Sequence, residues 1–442
     1  MIVMKFGGTS VGSAERIAHV AALVKERLSR RPILVVSAVA GVTDALIALA
    51  RAPTHEALAR IRKTHDDILA ELKLDASLLD DLFAELSELV KKKQEVPDAK
   101  TLDAFQSFGE RFSARILAAQ LQAMNVAAQA FDAWDVGMIT DGKFSDAVPL
   151  PASYAAIKKN LSSLDALPVL TGFIGKTANG DVTTLGRGGS DYTASIVGAA
   201  AGAEEIQIWK EVDGVLSTDP RIVPEARIVP ELAFEEVCEL AYFGAKVLQP
   251  KSILPAMKKN VPVRVLNTFK PDGKGTTIVS DFAQRWGKSR SVEALICKKR
   301  LSAIHIHSPD FFGGNKLMAK IFALFEKHGA EIDVVAISVV SASVTIAEHG
   351  NLSKILPSLE KLGNVDVVPG KAVICAVGGR MDAAAVVGKM FTLLGSCGIA
   401  VEMISQAAGG VSIEFMVDEK DAEEAVRVLH KAYIDENARG TA

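Results

Sequence analysis

The chain has 442 residues, of which 49% are hydrophobic and 23% charged, and its formal net charge is −3. This length accommodates two or three domains, and the composition is that of an ordinary globular protein. The charge balance argues against a nucleic-acid partner or an anionic membrane surface. We recognise no membrane-spanning run and no signal peptide, and the four cysteines are scattered without metal-ligand spacing. These features predict a cytoplasmic protein with reduced cysteines.

The N-terminal part has the pattern of a strand, a glycine turn, a helix and a second strand. Ile2–Phe6 is a short apolar run, and Gly7-Gly8 follows at once. Ser13–Arg30 carries apolar residues at helical spacing, and Ile33–Val36 is a continuous apolar run typical of a buried parallel strand. This order is a βαβ unit. It predicts a sheet covered on both faces, with ligands bound beyond the carboxyl ends of its strands.

A helical region then interrupts this pattern. Residues 52–98 are charged and helical in pattern, and we expect them to form an insertion with a solvated face. Leu102–Asn125 is a further helical stretch, with Gly109 and Glu110 in its middle. Because glycine weakens a helix interior, Gly109 requires a structural or functional reason.

The stretch Thr183–Thr193 has the strongest features of a ligand-binding loop. Its three glycines allow a close approach of the backbone to a ligand, and the helical stretch Thr193–Ala201 begins directly after it. The start of a helix offers unpaired N–H groups to an anion, and Arg187 adds a planar guanidinium suited to a carboxylate or a phosphate. Taken alone, the stretch has an alternative interpretation as a glycine-rich turn without a ligand.

The last 150 residues repeat. Phe322 and Phe391 are 69 residues apart, as are Gly329 and Gly398. Each copy has the pattern of a strand, a helix ending at glycine, two strands and a helix, which predicts two βαββα-type units. No catalytic constellation is visible in this half. We expect it to bind a regulatory ligand or to form subunit contacts, with structural packing alone as the alternative.

In combination, these motifs resemble the aspartokinase family, and in particular its monofunctional, lysine-sensitive type. The resemblance rests on Lys5–Val11, Thr183–Thr193, Phe243–Lys246 and the tandem C-terminal pair of ACT units. It implies an α/β fold: a three-layer amino-acid-kinase domain over residues 1–283 with a mostly parallel, eight-stranded central sheet. Two α+β ACT units would follow within 291–442, at about 301–370 and 371–437. The second would be completed by a strand from 291–300, around Val292–Lys298.

The resemblance implies that the protein transfers a phosphoryl group from MgATP to the side-chain carboxylate of L-aspartate, the first step of the aspartate-family amino-acid pathway. Lys5 and Asp191 resemble the catalytic residues of the family. A bare carboxylate beside polyphosphate would be repulsive, so Asp191 requires Lys5 or Mg²⁺ as a partner. The acceptor carboxylate is ionised at neutral pH and needs no base.

The resemblance also implies which residues bind each substrate. Glu110 would hold the ammonium group of aspartate, and Arg187 one of its carboxylates. The full aspartate set is Thr43, Glu110, Arg187, Gly188, Gly189 and Ser190, and the nucleotide set is Lys5, Gly7, Gly8, Lys210, Glu211, Leu216, Arg221 and Lys246.

The chain departs from the family pattern at several positions. Lys210-Glu211 stands where Thr-Asp is common, and Leu216 stands where tyrosine is common. These departures leave the base and ribose contacts of the nucleotide open. In the first ACT unit, Val339 stands where lysine-regulated relatives carry glutamate.

The resemblance implies an amino-acid effector of the first ACT unit. Asp333 would pair with an effector ammonium, and the implied effector residues are Leu317, Met318, Ile332, Asp333 and Ser338. Lysine is the effector we expect, with meso-diaminopimelate and threonine as alternatives.

Two other functions remain as alternatives. One is a carboxylate kinase of the same fold that acts on glutamate or N-acetylglutamate, and the other is a catalytically weak amino-acid sensor. We expect at least a homodimer, because ACT units leave strand edges to pair. We also expect no fused homoserine dehydrogenase after the second ACT unit.

Overall fold

The structure is a computed structural model that describes residues 1–92, 96–245, 247–280, 292–307, 315–338, 340–348, 351–379, 381, 384–406 and 410–435. The chain forms two compact units. The first comprises Met1–Val215, Pro230–Phe234 and Val247–Asp281. The second comprises Leu216–Val229, Glu235–Lys246 and the chain from Phe282 onward, as far as these ranges are described.

The division of the chain differs from the single boundary expected near residue 283. Leu216–Val229 belongs to the second unit because its backbone is bonded there. The Leu295 N–H donates to the Ser217 carbonyl at 2.8 Å, and the Ser217 hydroxyl lies 2.9 Å from His430 Nε2. Hydrogen bonds between segments so distant in sequence leave no local pattern. The sequence therefore could not reveal that Leu216–Val229 belongs to the second unit.

A mostly parallel sheet forms the centre of the first unit. The strands of this unit are β1 (Ile2–Phe6), β2 (Pro32–Val36), β3 (Ala128–Phe131), β4 (Ile139–Thr140), β5 (Leu167–Thr171), β6 (Ile174–Thr177), β7 (Val182–Thr184), β8 (Glu205–Lys210), β9 (Glu231–Ala233), β10 (Val263–Asn267) and β11 (Thr276–Val279). Eight of them form the central sheet in the order β3-β5-β2-β1-β8-β10-β11-β9, in which only the β10–β11 pair is antiparallel. A separate small sheet has the order β4-β6-β7.

Helices cover both faces of this central sheet. The helices of the first unit are α1 (Ala14–Lys25), α2 (Val42–Arg51), α3 (His55–Leu72), α4 (Asp80–Lys91), α5 (Ala99–Ala123), α6 (Pro151–Ser162), α7 (Gly189–Ala201) and α9 (Pro250–Lys259), with a 3₁₀ turn at Leu28–Arg30. The helix α8 (Phe234–Tyr242) belongs to the second unit from Glu235 onward. None of the described helices is both long and apolar enough to cross a membrane.

Successive side chains of β1 point alternately towards the two helical layers. Ile2, Met4 and Phe6 belong to one large core together with α1–α5. The opposite face carries Val3 and Lys5, and α7 packs against it. The layer order helix, sheet, helix confirms the predicted three-layer α/β fold, and it places Lys5 on the side of α7.

The second unit contains a six-stranded antiparallel sheet with the order β13-β14-β12-β15-β17-β16. Its strands are β12 (Ala294–His307), β13 (Val335–Ile337), β14 (Ser341–Ala347), β15 (Asn364–Val377), β16 (Met403–Ser405) and β17 (Ser412–Asp418). Its helices are α10 (Asn315–Lys327), α11 (Leu352–Leu359), α12 (Ala384–Ser396) and α13 (Ala422–His430), with a 3₁₀ turn at Glu419–Asp421 and a π turn at Lys431–Asp435.

The internal repeat is visible in this unit. The helices α10 and α12 begin 69 residues apart, at Asn315 and Ala384, and each repeat has its own hydrophobic core. The sheet is nevertheless continuous, because β12 belongs to both repeats. Ala294–Lys298 pairs with Val373–Val377 of the second repeat, and Leu301–His307 pairs with Ser341–Ala347 of the first.

Candidate active site

A cleft of about 970 Å³ opens at the carboxyl ends of β1 and β2, where the helices α2 and α7 begin. This is the location that an open parallel sheet favours for ligands. Twelve residues that we associated with aspartate or nucleotide line it: Lys5, Gly7, Gly8, Thr43, Glu110, Arg187, Gly188, Gly189, Ser190, Asp191, Lys210 and Glu211.

Three residues of the expected nucleotide set lie outside the described part of the first unit. Leu216 and Arg221 belong to the second unit, and the exposed guanidinium of Arg221 bonds Asp219. Lys246 lies outside the described residues. Within the first unit, the structure brings together the other residues that we expected to bind phosphate and aspartate.

A buried carboxylate with two lysine partners lies at the centre of the cleft. Lys5 Nζ is 2.7 Å from Asp191 Oδ1, and Lys210 Nζ is 2.9 Å from Asp191 Oδ2. Burial opposes the ionised form of Asp191, but the two ammonium groups outweigh it and hold the pKa of this carboxyl below its usual value. Burial lowers the pKa of Lys5, against the attraction of Asp191. The two ammonium groups and the carboxylate together carry one net positive charge.

The backbone around these charges is close-packed. A Cβ on Gly8 would lie 2.7 Å from the Ala38 carbonyl oxygen, and a Cβ on Gly189 would lie 2.5 Å from the Phe173 ring. Neither position tolerates a side chain. Glycine at these two positions therefore lets β1 and the start of α7 approach the neighbouring loops, and it leaves backbone N–H groups open to the cleft.

Glu110 lies on α5 and reaches the cleft beside the loop that follows β2. Its Oε1 accepts a hydrogen bond of 3.1 Å from the Ala38 N–H, and its buried Oε2 has no partner among the described residues. Burial raises the pKa of Glu110 to about 8, against the Ala38 N–H and the charge of Lys5. A buried carboxylate with a free oxygen is costly unless a ligand cation neutralises it.

The packing of α5 explains why residue 109 is a glycine. A Cβ at this position would lie 2.6 Å from Ala38 Cβ. The absence of a side chain allows α5 to lie against the loop that contains Ala38, which is the contact that brings the Glu110 carboxylate to the Ala38 N–H. The glycine that weakens the helix therefore positions the next residue.

Arg187 is the exposed cation of the cleft. It has no hydrogen bond or ion pair with any described residue, and the turn around it is left-handed at Gly186 and Gly188, with φ of 76° and 73°. Ser190 and Thr43 lie in the first turns of α7 and α2, so both helix starts face the cleft. Arg187 and the two helix starts together form an anion-binding side.

Asp103 is a positioning residue that the sequence did not single out. Its buried carboxylate accepts hydrogen bonds of 2.8 Å from the backbone N–H groups of Ser145 and Thr184, and it also accepts from both hydroxyls. Ser145 and Thr184 line the cleft, so Asp103 fixes two of its loops. Asp103 precedes Glu110 by two helical turns on α5, so the two side chains lie on the same face of the helix. This spacing was the one sequence feature that could have associated Asp103 with the cleft.

The expected effector residues differ in their burial and in their contacts. Leu317 is buried in the core of the first repeat, and Met318 and Ile332 pack against that core. Ser338 is exposed and lies 2.7 Å from the Ser341 hydroxyl. Asp333 lines a cavity of about 240 Å³.

Comparison with known proteins agrees with the fold. The family model for the amino acid kinase family matches residues 1–267, and a model for the ACT domain matches residues 374–433. The catalytic unit is therefore that of an amino acid kinase.

Individual relatives identify the family more narrowly than the family models do. Aspartokinase 1, chloroplastic, of Arabidopsis thaliana is 38% identical over 98% of this chain and 80% of its own length. Lysine-sensitive aspartokinase 3 of Escherichia coli is 32% identical over 97% of this chain and 98% of its own length. The crystal structure of E. coli aspartokinase III in complex with lysine and aspartate matches with a TM-score of 0.83 at 30% identity, over 98% of this chain and 99% of that one. The chain belongs to the aspartokinases and is an aspartate kinase with an ACT regulatory region.

Proposed function

We propose that the cleft binds L-aspartate between Glu110 and Arg187 and the phosphates of MgATP beside Lys5 and Lys210. The observation that carries this arrangement is the buried Oε2 of Glu110, which has no partner among the described residues, on the same cleft as Arg187, which is likewise unpaired among them. Aspartate carries one ammonium and two carboxylates, and the cleft offers the buried Glu110 carboxylate together with an anion-binding side. The charges of cleft and substrate are therefore complementary.

Glu110 binds the substrate ammonium. An isolated carboxylate at this depth is held near a pKa of about 8, so it is largely protonated in the empty cleft at neutral pH. The ammonium of aspartate supplies the missing counter-charge and stabilises the ionised form. Binding then displaces a proton from Glu110.

Arg187 and the helix starts bind carboxylate. A guanidinium forms two parallel hydrogen bonds to one carboxylate, which fixes its plane as well as its position. The hydroxyls of Ser190 and Thr43 and the N–H groups at the starts of α7 and α2 add further donors. Fixing both ends of aspartate presents its side-chain carboxylate oxygen in line with the terminal phosphoryl group.

Phosphoryl transfer needs charge compensation more than proton transfer. A carboxylate oxygen of aspartate forms a bond to the terminal phosphorus of ATP while the bond from that phosphorus to the bridging oxygen breaks, and ADP leaves. Lys5 and Lys210 compensate the negative charge on the transferred group, and Asp191 holds both ammonium groups in place. Asp191 is thus an orienting group and not a base.

Magnesium enters as part of the MgATP substrate. No group of three or more His, Cys, Asp or Glu side chains that could hold a metal ion occurs in the described part of the chain. Both oxygens of Asp191 face lysines. We infer that phosphate oxygens and water provide most of the ligands of this Mg²⁺, as is usual for a nucleotide-bound ion.

Trapping of the acyl phosphate with hydroxylamine tests this assignment. Aspartate should give the hydroxamate in an ATP-dependent reaction, whereas N-acetylglutamate, which has no ammonium for Glu110, should give none. Lys5→Met should lower kcat by about a hundredfold or more, as expected on removing one preorganised transition-state donor. A Lys5→Met enzyme with normal turnover would rule out the catalytic role of Lys5.

We propose further that the ACT region binds lysine as a feedback effector and that the enzyme is a cytoplasmic homodimer or a larger oligomer. The E. coli relative is described as lysine-sensitive, and in this chain Asp333 offers a buried carboxylate for an ammonium. Initial rates with lysine, meso-diaminopimelate and threonine identify the effector, and indifference to all three would refute the regulatory proposal. Light scattering gives the number of subunits, and cell fractionation gives the compartment.

A further inference from the structure

The second unit contains a cavity whose charges the catalytic cleft does not use. It has a volume of about 240 Å³, and its polar lining residues are Lys298, Glu331, Asp333 and Asn351. Asn351 is engaged in holding the chain, since its side-chain amide donates to the His328 carbonyl at 2.6 Å. The charged groups of the lining are one ammonium and two carboxylates.

Two of these groups form an incompletely satisfied ion pair. Lys298 Nζ lies 2.5 Å from Asp333 Oδ1. The Asp333 side chain is only 2% exposed, and its Oδ2 has no partner among the described residues. The Lys298 side chain is 30% exposed. A purely structural buried pair usually has its remaining oxygen bonded as well, because an unpaired buried acceptor costs stability.

This half-satisfied pair is complementary to the head group of an α-amino acid. The free Oδ2 of Asp333 can accept from an α-ammonium, and the exposed ammonium of Lys298 can donate to the adjacent α-carboxylate. Neither contact requires the Lys298–Asp333 pair to break. Glu331 lines the same cavity and offers a second carboxylate to a cationic side chain.

We propose that Lys298 and Asp333 together bind the zwitterionic head group of the effector amino acid, with its ammonium on Asp333 and its carboxylate on Lys298. This inference rests on the proposed function of the ACT region as an amino-acid-binding unit. It adds Lys298 as a specificity-determining residue, which distinguishes an amino acid from an amine of the same shape.

The position of Lys298 also connects this cavity to both repeats. Lys298 is paired with Val373 of the second repeat, and the register of β12 shifts directly after it. Arg300 within this shift has a left-handed backbone, with φ of 59°. A ligand held by Lys298 and Asp333 therefore contacts the first repeat and the strand that both repeats share.

Calorimetry on the full-length protein with L-lysine and L-lysinamide tests the proposal. Lysinamide keeps the ammonium groups and lacks the carboxylate, so the two ligands isolate the contact with Lys298. At about pH 6 both ligands carry a protonated α-amine. We expect the unaltered protein to bind lysine at least about tenfold more tightly than lysinamide, as expected for a charge-assisted hydrogen bond. Lys298→Gln should bring this ratio close to one, and Lys298→Arg should retain it.

Lys299→Gln is the matched control. Lys299 is the neighbour of Lys298 in the same strand, and its ammonium pairs with Glu423 at 2.5 Å. This variant should keep the ratio of the unaltered protein. Thermal melting establishes that each variant is folded, and the comparison of the two ligands on the unaltered protein requires no variant.

The outcomes separate this inference from the function on which it rests. Equal affinity of the unaltered protein for lysine and lysinamide, or an unchanged ratio in a folded Lys298→Gln, overturns the role of Lys298 and leaves amino-acid binding intact. If lysine, meso-diaminopimelate and threonine all fail to bind, the regulatory proposal itself is wrong.

Discussion

Lys210 Nζ lies 2.9 Å from Asp191 Oδ2, while the other oxygen of the same carboxylate faces Lys5. Lys210 also donates to the Val247 carbonyl at 2.6 Å, so its ammonium is held from two sides. One carboxylate thus fixes two cations at the carboxyl ends of neighbouring strands. The side of the cleft that we propose binds the phosphates therefore has two positioned ammonium groups and a single compensating carboxylate.

We expect Lys210→Met to lower kcat/KM for ATP by about tenfold or more, since a charge-assisted contact to phosphate is lost. KM for aspartate should change much less, because Lys210 lies on the phosphate side. Steady-state measurement of ADP release with each substrate varied in turn gives both values. Lys63→Met removes an exposed ammonium that pairs with Asp67 on α3 and should have no effect. An unaltered kcat/KM for ATP in Lys210→Met would contradict this role.

The pKa of Glu110 predicts how aspartate binding depends on pH. Burial raises this pKa to about 8, and the substrate ammonium requires the ionised form. KM for aspartate should therefore fall as the pH rises from 6 towards 8, by up to about tenfold per pH unit, and level off above the pKa. Calorimetry in buffers of different ionisation enthalpy should show proton release on binding near pH 7. In Glu110→Gln, KM should be higher and independent of pH in this range.

The same raised pKa predicts a change of stability with pH. The folded protein binds a proton at Glu110 more tightly than the unfolded chain, so this group's contribution to stability is present at low pH. It is lost as the pH rises from about 4.5 through about 8. The melting temperature of Glu110→Gln relative to the unaltered enzyme should therefore increase between pH 5 and pH 8.5. A constant difference would show that Glu110 does not have a raised pKa.

Gly109→Ala should damage the aspartate site although alanine favours helices. The new Cβ would lie 2.6 Å from Ala38 Cβ, and overpacking of this kind costs about 1–3 kcal/mol, more than the gain of about 1 kcal/mol in helix propensity. We expect a lower melting temperature and a higher KM for aspartate. The double variant Gly109→Ala with Ala38→Gly removes the clash and should recover both. Gly142→Ala is the control, because nothing lies within 4 Å of its Cβ position.

Arg187→Ala should raise KM for aspartate strongly and leave KM for ATP nearly unchanged, because a bidentate carboxylate contact is lost. Arg187→Lys should recover only part of the loss, since an ammonium cannot bond both oxygens in the plane of a carboxylate. Arg115→Ala, which removes a surface partner of Asp81, is the control. Steady-state kinetics with aspartate varied at saturating ATP provides the measurement, and a normal KM for aspartate would remove Arg187 from the site.

Much of the catalytic unit was predictable from sequence because its signals are local. The apolar strands, the glycine turn after β1 and the helical stretch Thr193–Ala201 are each visible in a few neighbouring residues, although this helix begins four residues earlier than predicted, at Gly189. The pairing of Asp191 with a cation followed from charge alone, since a carboxylate beside phosphate needs a partner. The role that we propose for Glu110 came from the family resemblance, and the structure supports it with the burial of this carboxylate and with an oxygen that has no partner among the described residues.

The remaining features depend on register and on distant contacts. Lys210 reaches Asp191 because Lys5 pairs with Ile208 in the parallel sheet, and a residue two positions further along β8 lies on the same face. Strand register of this kind cannot be read from either strand by itself. The placement of Leu216–Val229 in the second unit depends likewise on a contact with Leu295, far along the chain.

The sharing of β12 constrains how the regulatory region is made. Ala294 pairs with Val377, which the ribosome adds 83 residues later, so this part of β12 remains without its partner while the first repeat is synthesised. Such long-range pairing is slow and exposes an unpaired strand edge in the meantime. Completion of the regulatory sheet is consequently a late step of biogenesis. A chain truncated within the second repeat would carry an aggregation-prone edge and not a functional single repeat.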